Sequence, residues 1–142
     1  GFDVGLTYAL GGHLTATLNY HHIQIEQEAP DPRTPIITAL NSPRHRTNAV
    51  LAGRNLLPNE RLGFALTHRW VETHTFYPQQ GFELVPIFHQ VDAQLSYAFP
   101  AWHSVVRLGS TNVLNNRHIE AWFGPTIGRV VYVQLAFDEF LY

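Results

Sequence analysis

The chain has 142 residues, 45% of them hydrophobic and 14% charged, with a formal net charge of -2 and no cysteine. That length suits one modest domain, the charge has the wrong sign for a nucleic-acid binder steered by basic patches, and the lack of cysteine excludes disulfides and thiolate metal sites. No run approaches the roughly 20 apolar residues of a membrane-crossing helix, which leaves only strands as candidate spans, since these turn alternate residues to lipid.

The first element is a strand over 2–10. Phe2, Val4, Leu6, Tyr8 and Leu10 alternate with Asp3, Gly5, Thr7 and Ala9, the period of two that makes one face apolar. Gly11-Gly12 predicts a two-residue hairpin turn. The second strand then runs from His13 to about Ile25, with Leu14, Ala16, Leu18 and Tyr20 on one face. A long connection, Glu26 to Ser42, carries Pro30, Pro32 and Pro35, which favour extended, non-helical backbone. The third strand, Arg44 to Arg54, is the least regular: Thr47, Ala49, Leu51 and Gly53 form one face, and Val50 falls on the other. A turn at Leu57-Pro58-Asn59-Glu60 precedes the fourth strand, where Leu62, Phe64, Leu66 and Trp70 oppose Gly63, Ala65, Thr67 and Arg69. A second long connection, Thr75 to Ile87, follows.

The last quarter repeats the pattern. Val91, Ala93, Leu95, Tyr97 and Phe99 define a fifth strand, Pro100–His103 a short turn, and Val105–Val113 a sixth strand. A third long loop, Asn115 to Ile127, leads to a seventh strand over Val131, Val133, Leu135 and Phe137. The connections therefore alternate short and long, as in an up-and-down outer-membrane barrel with short periplasmic turns and longer outside loops. The fold class this predicts is all-β: an antiparallel, transmembrane β-barrel segment of about seven strands. Seven is odd, so the first and last strands run the same way and cannot close antiparallel onto each other. The barrel is incomplete on this reading, and Gly1, entering a strand with no initiator Met or signal peptide, also reads as a fragment. Tyr8, Tyr20, Trp70, Phe99, Trp102 and Tyr132 fall near predicted strand ends, where interfacial aromatic girdles concentrate.

Four segments resemble TonB-dependent outer-membrane receptors, in that family's order: Asn41-Ser42-Pro43-Arg44-His45-Arg46, Val91-Asp92-Ala93-Gln94-Leu95-Ser96-Tyr97, Leu108-Gly109-Ser110-Thr111-Asn112-Val113-Leu114-Asn115, and Gly124-Pro125-Thr126-Ile127-Gly128-Arg129. The resemblance implies that residues 1–142 are the C-terminal part of a barrel of about 22 strands with a plugged lumen, the plug and earlier strands lying N-terminal to Gly1. It further implies import of a scarce nutrient such as a ferric siderophore, haem, cobalamin or a glycan. The implied partners are an inner-membrane TonB complex, reached through the N-terminal part, and outer-membrane lipid, with no nucleic acid. The competing readings are a structural or adhesive outer-membrane barrel without transport and a soluble β-sandwich. One departure stands out: Phe137 is in phase with the apolar face, but Phe140 and Tyr142 are not unless a bulge near Asp138-Glu139 restores the phase.

No enzyme is predicted. There is no G-x-S-x-G elbow or phosphate-cradling loop, and Ser96 shares a face with Asp92 but not with His89. Neither a cofactor nor a metal site is predicted, although the chain has nine histidines. His21 and His22 point to opposite faces, while His68 and His74 share a face by parity at about 20 Å along a strand. Arg69, Asp92, Gln94 and Arg107 are expected on the lumenal face. His118 and Glu120 are expected as accessible groups in the last loop, and ligand contact is assigned broadly to the three long loops, without individual substrate-binding residues.

Overall fold

The computed structural model describes residues 1–24, 42–76, 83–121 and 123–137. Its main element is one seven-stranded antiparallel sheet built from β1 (Phe2–Leu10), β2 (Leu14–His22), β3 (His45–Leu56), β4 (Leu62–Val71), β7 (Phe88–Phe99), β8 (Ser104–Thr111) and β9 (Val130–Phe137), side by side in that order. The sheet is an open meander, with β1 and β9 as its edges. The all-β, up-and-down class and the count of seven strands agree with the alternation in the sequence.

Two features were not legible beforehand. Inside the second long connection, β5 (His74–Phe76) and β6 (Glu83–Val85) pair as a separate short hairpin. Strand β7 also begins at Phe88, three residues ahead of the predicted Val91, because Phe88, His89 and Gln90 continue the ladder opposite Val71, Trp70 and Arg69. The first turn differs in detail: Leu10 pairs with Leu14, so Gly11, Gly12 and His13 make a three-residue loop. Gly11 occupies the left-handed region at φ 78, which a residue without Cβ adopts at no steric cost. Between Gly53 and Leu56 the register shifts against β4, with Asn55 at φ 54, a bulge that bends the end of β3; Val50, upstream of it, pairs in regular register with Thr67 on the polar face. The turn at 100–102 is a short 3₁₀ segment closed by His103 in the left-handed region. The predicted end of the second strand at Ile25, positions 26–41 of the first long connection and the out-of-phase 138–142 ending lie outside the described residues.

Register carries the alternation across the whole sheet. One continuous row joins Leu10, Leu14, Gly53, Phe64, Leu95, Leu108 and Val133; the next toward the long connections joins Tyr8, Ala16, Leu51, Leu66, Ala93, Ser110 and Val131. These residues share one face, and it is bare: Leu6, Leu95, Leu108 and Val133 are 64%, 54%, 52% and 72% exposed. Among the described residues the buried apolar side chains are only Val71, Val85 and Phe88, and Val71 and Phe88 pair at the long-connection end of the opposite face. The sheet has no apolar core of its own on either side of its middle.

The hairpin tips are stepped. The final pairs are Leu10–Leu14, Leu56–Leu62 and Phe99–Ser104. Leu62 lies two residues past Phe64, which shares the Leu10–Leu14 row, and Phe99 lies two past Tyr97, the partner of Leu62. Each hairpin thus projects two residues further than the one before, so the sheet is a slanted parallelogram.

Glycines allow aromatic rings to lie flat at two places. A Cβ at Gly53 would run into the Phe64 ring on the apolar face, and one at Gly109 into the Tyr132 ring on the other. In both cases the aromatic is the direct cross-strand partner, covering a backbone that has no side chain.

Candidate functional site on the polar face

The face opposite the leucines is polar from edge to edge. Arg69, Asp92, Gln94 and Arg107 all lie on it, as their parity predicts, because Thr67 faces Asp92, Ala65 faces Gln94 and Ser96 faces Arg107. His21 binds Asp3 across β1 and β2, and with Asn19, Arg46, Asn48 and Arg69 these line a groove of about 420 Å³. His22 points to the other face. His21 and His22 are thus separated as expected.

At the end of this face nearest the long connections, two networks hold the strands to the loops. In the first, one guanidinium nitrogen of Arg69 donates to Gln90 Oε1 at 2.8 Å and to Glu120 Oε1 at 2.6 Å, and the guanidinium stands 5.6 Å from the centre of the Phe88 ring. Arg69 and Glu120 are 51 residues apart. Their side chains are 38% and 39% exposed, so water screens the charge pair and its worth is geometric more than energetic. Beside it a cleft of about 180 Å³ is lined by Pro43, Arg46, Arg69, Val71, His74, Phe88 and Glu120.

His118 is the first correction. Predicted as an accessible loop residue, it is buried at 9% exposure, its ring stacked on Phe88 at 4.0 Å between centroids. Nδ1 lies 2.8 Å from the Asn116 carbonyl and Nε2 lies 3.5 Å from Glu120. An antiparallel bridge from His118 to Ile127 pulls the loop back on itself, which the sequence pattern of the loop did not reveal. Glu120 remains half-exposed.

The second network is built on Asn112, which is fully buried in the left-handed region at φ 51. Its N–H donates to Asp92 Oδ1 at 2.8 Å, its Nδ2 to the Asn116 carbonyl at 2.9 Å, and its Oδ1 accepts from the Asn116 N–H at 2.9 Å. Asp92 also accepts from Gln90 Nε2 at 2.8 Å. Asn116 Nδ2 reaches the His89 carbonyl at 2.8 Å, and Asn115 Oδ1 takes the Arg129 N–H at 3.0 Å. Asparagine serves at these positions because it tolerates positive φ and its amide both donates and accepts. The short polar run at 112–116 is therefore a knot that ends β8 and anchors both stems of the last loop.

The histidines do not arrange as parity suggested. β4 ends at Val71 and His74 belongs to β5, so His68 and His74 do not share a strand. Instead His68 Nε2 comes to 3.2 Å from His89 Nδ1, and His22 Nδ1 to 3.3 Å from His45 Nδ1, both pairs on the apolar face. Spacing along the chain could not show this, since register alone brings them together. Tyr132 is also corrected: it lies on the polar face, over Gly109, with its hydroxyl donating to Gln94 at 3.0 Å, and so belongs to no outward girdle. Tyr20, Trp70 and Phe99 do lie on the apolar face near its two ends.

Among the described residues no group of three or more His, Cys, Asp or Glu is placed to hold a metal ion. Asp92 is tied to Gln90 and Asn112, and among the described residues no base is hydrogen-bonded to Ser96. The arrangement offers a hydrogen-bonding, charge-paired wall. No helix among the described residues is long and apolar enough to cross a membrane, which leaves crossing by strands open. No known protein family, curated protein or solved structure matches the chain.

Proposed function

We propose that this chain is a segment of an outer-membrane β-barrel and, on its motifs, the C-terminal part of a TonB-dependent receptor that imports a scarce nutrient. The observation that carries the barrel is the division of seven strands into one uncovered apolar face and one polar face. An apolar patch of this extent on a protein surface marks a contact with lipid or another apolar body. A sandwich would cover it with a second sheet packed about 10 Å away.

Three further observations support lipid. The hairpin step of two residues is one residue per strand, about 3.4 Å of rise for about 4.8 Å of spacing, which corresponds to a strand tilt of about 35°. From His89 to Phe99 the chain rises about 34 Å, or about 28 Å of depth at that tilt, close to the apolar band of about 25 Å in such barrels. The two ends of that band carry Tyr20 and Trp70 at one side and Tyr97, Phe99 and Trp102 at the other, the last three packed ring to ring, as interfacial girdles require. Nothing in this reading calls for catalysis.

Transport rests on the resemblance, supported by the way its segments converge. Val91-Asp92, Asn112–Asn115 and Gly128-Arg129 are joined through Asp92–Asn112, Val113 N–H to the Val91 carbonyl at 2.7 Å, and Asn115–Arg129. The receptor's loops and plug would hold the nutrient over the polar face, and the TonB complex would energise its release inward.

Single spin labels on cysteines introduced at Leu66, Leu95 and Leu108 report one face, and at Thr67, Gln94 and Arg107 the other, in the full-length protein in membranes, with any cysteine outside these 142 cysteine-free residues replaced. The first set should collide with oxygen and the second with a water-soluble nickel complex; water contact at the leucine sites removes the barrel. Deleting the gene should abolish uptake of one scarce nutrient, and dissipating the proton-motive force should do the same in the parent strain. If uptake of iron chelates, haem, cobalamin and glycans is unchanged, transport is wrong even where the barrel stands.

A further inference from the structure

Two histidine pairs stand on the apolar face toward its long-connection end, and their geometry is that of metal chelation. Zinc binds imidazole nitrogen at about 2.0–2.1 Å, so two nitrogens on one tetrahedral zinc stand about 3.3 Å apart. His68 Nε2 and His89 Nδ1 are 3.2 Å apart, with rings inclined by 22°. They come from adjacent strands, β4 and β7, and meet on the diagonal, since His68 faces Val91 and Trp70 faces His89. Both strands are central and heavily paired, so the ladder sets the separation before any ion arrives. Such preorganisation lowers the cost of binding.

We propose that His68 and His89 form a two-imidazole site for a divalent transition ion such as Zn(II), Ni(II) or Cu(II). Imidazole suits these ions, while Mg(II) and Ca(II) select oxygen ligands. The pair lies at the interfacial end of the face, where Trp70 pairs with His89, so two protein ligands leave the remaining positions to interfacial water and the ion takes an added ligand without dismantling the site. The metal takes the place of the proton between the two rings, which moves to the outer nitrogen of its own ring, so that both ligands stay neutral imidazoles and present a lone pair each.

The second pair differs in one respect that makes the assignment specific. His22 Nδ1 and His45 Nδ1 are 3.3 Å apart, but the Tyr20 hydroxyl stands 2.6 Å from the same His45 Nδ1. Whichever of the two donates, that contact occupies the nitrogen a metal needs. The His22–His45 pair is therefore the weaker chelator, and the His68–His89 pair, whose facing nitrogens have no such competitor among the described residues, is the site.

The site rests on the sheet register alone and stands or falls apart from the transport reading. Zn(II) titration by calorimetry, and Cu(II) electron paramagnetic resonance, on the full-length protein in detergent should show a site with two imidazole nitrogens. His68→Ala and His89→Ala should each weaken it at least tenfold, whereas His45→Ala leaves it unchanged. Tyr20→Phe should strengthen the second, weaker site. Circular dichroism checks that each variant is folded; for one that is not, protection of His68 from diethylpyrocarbonate by Zn(II) in the unaltered protein replaces it. Binding that is the same with and without His68, or a two-nitrogen signal lost only with His45, overturns the proposal, as does failure of Zn(II) to protect His68.

Discussion

Asn112 offers the sharpest test of how the strands are fastened to the last loop. Replacing it with Ala removes two side-chain hydrogen bonds, to the Asn116 carbonyl and from the Asn116 N–H, both 2.9 Å. Each such bond is worth about 1 kcal/mol net. The replacement also leaves a residue with a Cβ, but no local hydrogen bonding, at φ 51, which costs about 1–2 kcal/mol. The sum is about 3 kcal/mol, felt where Asn112 sits. Asn112→Gly loses the same bonds but not the conformational allowance, and should cost about 1 kcal/mol less, part of the relief being offset by the freer unfolded chain. The assay is amide hydrogen exchange at Val113 and Asn115, whose N–H groups bond to Val91 and Asn112. At about 1.4 kcal/mol per decade, protection should drop about 100-fold in the Ala variant and about fivefold less in the Gly variant. Protection within threefold of the parent, or equal losses in the two variants, would refute the knot as the fastening.

Other consequences are smaller and as easily checked. Gly109→Val sets a side chain into the Tyr132 ring and should cost about 2–3 kcal/mol as overpacking, against about 1 kcal/mol for Tyr132→Phe, which loses only the bond to Gln94; denaturant midpoints separate the two. Arg69→Ala frees Glu120, and because both side chains are more than a third exposed the stability loss should stay under about 1 kcal/mol. Limited proteolysis between 115 and 127 should nevertheless quicken, since that loop loses its tie to β4. Gly11→Ala should cost about 1 kcal/mol from its positive φ alone, with no atom within 4 Å of the added Cβ, while Gly12→Ala, equally open, should be close to neutral in the same melt.

Strand existence was legible because it depends on local period. Phe2 to Leu10 and Val91 to Phe99 each alternate without error, and the polar placement of Arg69, Asp92, Gln94 and Arg107 follows from the same parity. The misreadings have a common origin. β3 looked irregular because Val50 stands on the polar face, where it pairs with Thr67 in unbroken register. His118 looked accessible because its burial comes from Phe88 in another strand. Tyr132 looked like a girdle residue because its position near a strand end says nothing of Gly109 opposite it.

Local residue order is enough to set the seven strands, the face each strand residue takes and the alternation of short turns with long connections, since a two-residue pleat and turn-forming residues act over a few positions. Tertiary structure alone decided the two-residue step between hairpins, the Arg69–Glu120 tie, the Asn112 knot and the meeting of His68 with His89. Those depend on which rung of one strand lies beside which rung of the next, between residues some 20 to 50 positions apart. A register is chosen by the summed fit of a whole ladder, so no short stretch of sequence contains it.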